Sequence, residues 1–186
     1  FNNIKENRHL FIVGIFLHLT TLICDVIVAW SLYIFLRPVN RDLSLLTAVF
    51  RIVFAMVTLS ALLNLVGVLN LTQNADYLTA FDDSLYPKVL LSIKNFNLQL
   101  SFAFTFFSIY LILLGVLVYR ASYVPKIFGI FMIIAGTGYL VDTMKSFFFP
   151  SIKMDYLMIT FFGELVFMFW LLINGWRVKV LDHYSN

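Results

Sequence analysis

Five stretches of this chain are long, almost wholly apolar runs: Leu10–Leu36, Leu43–Leu71, Phe96–Tyr119, Ile127–Phe149 and Leu157–Trp176. A helix rising 1.5 Å per residue needs about 20 such residues to cross a bilayer's hydrocarbon core. Short connectors separate most of the runs, so each is read as one membrane span. Composition agrees. Of 186 residues, 61% are hydrophobic and 12% charged, whereas a water-facing domain carries about 25% charged residues. That supply cannot cover a soluble globule, which argues against a soluble enzyme, a disordered chain or a nucleic-acid binder. The expected fold is an all-α polytopic transmembrane helix bundle, a single domain over residues 1–186 with five spans. The first two runs exceed the minimum length and are expected to tilt or to enter the interface.

The net charge of +3 is read as a record of where Lys and Arg lie around a membrane, not as a sign of anionic partners. One set of connectors holds Arg37, Arg41, Arg120, Lys126, Arg177 and Lys179 in short stretches. The other set holds Lys5, Arg8, Lys88, Lys94 and Lys153, diluted over longer sequence. The positive-inside rule then puts the first set in the cytoplasm, the N-terminus outside and the C-terminus inside. No charged segment with a short apolar stretch and cleavage site opens the chain. An outside N-terminus of this kind is expected to follow one further span upstream of Phe1. The single cysteine, Cys24, leaves no internal disulfide. In the 72–95 loop, Asp82-Asp83-Ser84 precedes Pro87, which predicts a helix from near Pro87 to Tyr119, protruding or kinked around Asn95-Phe96-Asn97.

Six ionisable side chains fall inside the spans: His18, Asp25, Arg51, Asp142, Lys145 and Glu164. Each Asp, Lys or Arg at mid-helix costs roughly 2.5–3.5 kcal/mol to insert, so such residues are expected to pair, face the bundle interior and mark function. Asp25 and Arg51 lie about 16 Å and 12 Å from the same end of two neighbouring antiparallel spans, which predicts an ion pair. His18, Asp142 and Glu164 lie about 10–12 Å from the opposite side. Spans four and five form a hairpin, so Asp142 and Glu164 are expected to approach each other, with Lys145 three residues from Asp142. Two carboxylates at one depth in a low dielectric suit proton uptake and release. With Lys145 added, the same residues could equally form a neutralised structural network. His and two carboxylates also form a possible metal ligand set, but they come from three helices with no local motif, and no metal or other cofactor is expected. No nucleophile elbow, phosphate loop or dinucleotide fingerprint occurs. Ser60, Asn64 and Gly67, with Gly129, Gly136 and Gly138, are read as close-packing positions.

Several motifs are familiar in combination. They are Leu36-Arg37-Pro38-Val39-Asn40-Arg41 with Phe50-Arg51, Tyr119-Arg120-Ala121-Ser122-Tyr123-Val124-Pro125-Lys126, Gly136-Thr137-Gly138-Tyr139-Leu140-Val141-Asp142, and Gly163-Glu164-Leu165. Over nearly its whole length the chain resembles a bacterial membrane family catalogued as domain of unknown function 4386. The family pattern includes acids at Asp25, Asp142 and Glu164, an arginine at Arg51, and an extra leading span. Where members often carry His in the third span, this chain has Tyr110. The resemblance implies a bacterial inner-membrane address and no particular reaction. The expected function is proton-linked transport of a small solute or lipid through Asp142 and Glu164, tuned by Lys145 and His18, with Asp25–Arg51 as brace or gate. The alternatives are an accessory subunit in a larger membrane complex and an intramembrane metal-dependent enzyme, though catalysis is the less favoured reading. Expected partners are membrane lipids and a partner subunit or second copy, with no nucleic acid.

Overall fold

The computed structural model describes residues 7–72, 82–148 and 157–175. The described residues form five helices: α1 (Arg8–Leu36), α2 (Arg41–Leu71), α3 (Asp82–Arg120), α4 (Lys126–Phe148) and α5 (Leu157–Asn174). Among the described residues there is no strand, so the chain is an all-α helical bundle. Four of the helices, α1 to α4, are long and apolar enough to cross a membrane, as in a multi-pass membrane protein. The described side chains of α5 cover the shorter apolar stretch Glu164–Asn174. Trp176, at the end of the fifth apolar run, and the connector residues Arg177, Lys179, Lys5 and Lys153 lie outside the described residues.

Each helix packs on the next in sequence, as short connectors between antiparallel elements require. The connector Arg37–Asn40 shows how the chain turns. Pro38 cannot continue α1, and Asn40, in an extended conformation, accepts the Leu43 N–H at 2.9 Å on its side chain to cap α2. The carbonyls in the last turn of α1 also draw side-chain donors. Ser44 Oγ donates to the Tyr33 carbonyl at 3.0 Å, and the Tyr123 hydroxyl donates to the Phe35 carbonyl at 2.6 Å. Tyr123 belongs to the α3–α4 connector, so its bond ties the two turns at one end of the bundle together. Burial of that phenol pushes its pKa up to about 12.

The long helix forecast from Pro87 starts earlier, at Asp82, and runs unbroken to Arg120. Its 39 residues span about 58 Å, nearly twice a hydrocarbon core. This helix is the centre of the bundle: 44% of its apolar stretch is buried, against 11% for α1. Its seam with α4 is closed by glycine. A Cβ on Gly129 would stand 2.6 Å from the Tyr119 backbone nitrogen, one on Gly136 2.8 Å from the Ser108 carbonyl oxygen, and one on Gly115 2.7 Å from the Gly129 carbonyl oxygen. Backbones approach this closely only where side chains are absent. The main core lies along the same seam, with Tyr110, Leu114, Leu117, Met132 and Ala135 all buried. A smaller cluster of Ile15, Leu22, Ala55 and Leu62 joins α1 to α2.

Candidate functional site

Every helix contributes one polar side chain to a layer across the middle of the bundle: Asp25, Arg51, Tyr110, Tyr139 and Glu164 in order from α1 to α5. Counted from the helix ends nearest the Arg37 and Ala121 turns, these residues lie 10 to 13 positions inward, about 15–20 Å. A 30 Å core has its midplane at that depth.

Arg51 is the hub. Its Nη2 meets Asp25 Oδ1 at 2.5 Å, and its Nη1 donates to the Tyr110 hydroxyl at 2.5 Å. The guanidinium carbon also stands 4.8 Å from the centre of the Tyr110 ring. Both ionic side chains are only 15% exposed. A charge-assisted pair in this environment is strong because the alternative is an unpaired ion in hydrocarbon. Tyr110 itself is 2% exposed and is held by Leu111, Leu114 and the Phe107 ring, whose centre is 5.5 Å away.

Glu164 enters the same layer from α5. Its carboxylate has the Tyr139 hydroxyl as a hydrogen-bonding neighbour and lies within electrostatic reach of Arg51 and Tyr110. One oxygen, Oε1, is buried with no hydrogen-bond partner among the described residues. Arg51 Nε and Thr58 Oγ1 are in the same condition. Aromatic rings wall the layer: Tyr139 stacks on Phe104 at 5.9 Å and meets Phe107 edge-on at 5.9 Å.

The other ionisable residues singled out in the sequence stand elsewhere. Asp142 pairs with Lys145 across one helical turn, at 3.8 Å. His18 packs edge-on against Phe96, ring centres 6.1 Å apart. No group of three or more His, Cys, Asp or Glu among the described residues is placed to hold a metal, so His18, Asp142 and Glu164 do not converge as a ligand set. Asp142 has Lys145 as an ion partner, and Glu164 has Tyr139 and the Arg51 hub as neighbours.

Residues 1–175 match the family described as "Domain of unknown function (DUF4386)". The chain belongs to this family. A protein of Archaeoglobus fulgidus described as "Uncharacterized protein" is 40% identical over 168 residues, which is 90% of this chain and 85% of that protein. No solved structure matches the chain. Membership of DUF4386 brings no reaction with it. In this DUF4386 chain the layer includes two residues that charge-based reading passed over, Tyr110 and Tyr139. Both are phenols embedded in Phe-rich helices, and their signal was a hydroxyl at the depth of Asp25 and Arg51, not a charge.

Proposed function

We propose that this chain is a proton-coupled membrane transporter for a small solute or lipid, with Glu164 as the proton-carrying group. The observation that carries this reading is the charge balance of the midplane layer. Arg51 is already matched by Asp25, while Glu164 keeps a buried oxygen without a partner among the described residues. With a proton on Glu164 the layer is neutral. Without it, Arg51 faces two carboxylates, Asp25 on α1 and Glu164 on α5, and the layer carries one net negative charge in hydrocarbon. A cationic hub that can be claimed from either side is a two-state element. Proton loss from Glu164 draws Arg51 towards α5 and loosens its hold on α1, so proton occupancy is linked to helix arrangement. Tyr139 and Tyr110 remain as hydroxyl partners on either side of the exchange, and the aromatic wall keeps bulk water from short-circuiting it.

Proteoliposomes with a trapped pH-sensitive dye test the reading. Under an imposed pH gradient, one member of a panel of small solutes and lipids drives proton flux in the wild type. Glu164→Gln abolishes that flux while the protein still folds. Flux that survives Glu164→Gln refutes the assignment. On the positive-inside argument, the Arg37–Asn40 and Ala121–Pro125 connectors face the cytoplasm of a bacterial inner membrane.

A second reading, an accessory subunit or a homo-oligomer, is favoured by α1, whose Phe16, Leu17, Ile23, Ile27 and Trp30 are 56–64% exposed. Cys24 is also exposed on this helix. Oxidative cross-linking through Cys24 in native membranes, to a second copy or to a stoichiometric partner, would select this reading. Uniform monomer would remove it.

A further inference from the structure

Away from the midplane layer, a cleft of about 460 Å³ opens between α2 and α3, lined by Met56, Val57, Ser60, Leu98, Gln99 and Phe102. Its volume lies within the range of about 300–1,000 Å³ common for small-molecule sites. Met56, Leu98 and Phe102 are 65%, 57% and 51% exposed, so in a bilayer the cleft opens towards acyl chains rather than water.

The polar end of the cleft has a defined depth. Gln99 stands 21 positions from Arg120, about 31 Å along α3. With Arg120 at one edge of a core about 30 Å thick, Gln99 lies at the opposite edge, where lipid ester groups begin. Met56, 15 positions from Arg41, lies about 22 Å along α2, deeper in the same leaflet. The cleft therefore runs from the ester zone into the hydrocarbon.

The amide at its mouth is half used. Asn64 Nδ2 donates to Gln99 Oε1 at 3.0 Å and to the Ala61 carbonyl at 3.1 Å, which fixes the orientation of the Gln99 side chain. The Gln99 amide nitrogen has no protein acceptor among the described residues, and Gln99 lines the cleft. An unmet amide donor at this depth costs free energy unless an acceptor arrives from the membrane side. Fatty-acyl glycerolipids supply that acceptor at that level, with an apolar chain directly below it.

We propose that the α2–α3 cleft is a binding site for one chain of a diacyl glycerolipid, whose ester carbonyl accepts a hydrogen bond from the Gln99 amide. Ser60 and Phe102 form the walls, and Met56 marks the deep end. The site is separate from the Glu164 layer and stands whether or not that residue carries protons.

The test uses the full chain in phosphatidylcholine nanodiscs doped with a diester phospholipid bearing a diazirine on one acyl chain. After photolysis, peptide mass spectrometry locates the labelled residues. Phe16 and Leu17 on α1 are the reference, because they are 62% and 64% exposed and lie about 28–30 Å from the same end. Labelling at Met56, Leu98 and Phe102 is expected several-fold above that reference. Ser60→Phe, which fills the cleft from an exposed position, and Gln99→Leu, which removes the donor, should each return it to the reference level. Equal labelling of cleft and α1 in the wild type overturns the site. Full labelling in Gln99→Leu with loss in Ser60→Phe overturns the amide anchor, and full labelling in both overturns the proposal altogether.

Discussion

Removing one partner of the midplane pair should be far more damaging than removing both. In Arg51→Met the Asp25 carboxylate keeps its place, 15% exposed, but loses its counter-ion, and Tyr110 loses the donor at 2.5 Å. Breaking a buried pair in this way costs about 3–5 kcal/mol, two to four decades in the folded population. Asp25→Leu leaves Arg51 with the Tyr110 hydroxyl and, at longer range, Glu164, so a loss no larger than that of Arg51→Met is expected. The double variant Asp25→Leu/Arg51→Met carries no ion and nearly conserves volume, so it should return to within about 1–2 kcal/mol of the wild type. The coupling energy of this cycle is then several kcal/mol, well above the fraction of a kcal/mol at which distant sites deviate from additivity. Reversible unfolding in mixed micelles, followed by a steric-trapping or fluorescence readout, measures all four corners. If the two single losses simply add in the double variant, the pair is not the buried interaction described here.

Three further outcomes follow from the seams and turns. Gly129→Ala pushes a Cβ against the Tyr119 and Gly115 backbones and should cost about 1–3 kcal/mol, read by the same unfolding assay. Gly14→Ala and Gly67→Ala, where a Cβ meets nothing within 4 Å, should instead be neutral or stabilise by up to about 1 kcal/mol through helix propensity. Tyr123→Phe removes the 2.6 Å bond to the Phe35 carbonyl and should cost about 0.5–1.5 kcal/mol. Because the folded Tyr123 holds its proton up to about 12, its contribution is complete below the ordinary phenol range near 10. That contribution is lost as pH rises from there through about 12, so the wild type but not Tyr123→Phe should show that alkaline component of unfolding.

Hydropathy alone made the helices and their order legible, since a bilayer leaves apolar runs of this length one way to satisfy their backbones. The proximity of Asp25 and Arg51 was also legible, because a four-residue turn fixes both the depth and the adjacency of α1 and α2. Depth could not separate Asp142 from Tyr139. They lie three residues apart on α4, and which one meets α5 depends on how far the glycine seam rotates that helix against α3. The same limit hid the role of Tyr110, because its contact with Arg51 needed the azimuth of α3. The early start of α3 at Asp82, past the proline, was not legible either. A proline six residues into a helix reads locally as a boundary, and only the continuing helix shows that it is not.

The glycine seam also decides where the molecule can change shape. Sliding or rolling between two helices needs side chains that can exchange rotamers, and at Gly115, Gly129 and Gly136 backbone lies directly on backbone. The α3–α4 pair therefore behaves as a stator. Under the proposed function, rearrangement driven from the midplane falls to α5 and to α1, which is tied by the Asp25–Arg51 pair, a small apolar cluster and, at its Leu36 end, the Ser44 and Tyr123 hydrogen bonds. Spin labels across α3 and α4 should report one narrow distance under all conditions, while labels from α1 to α3 broaden or shift as Glu164 gains and loses its proton.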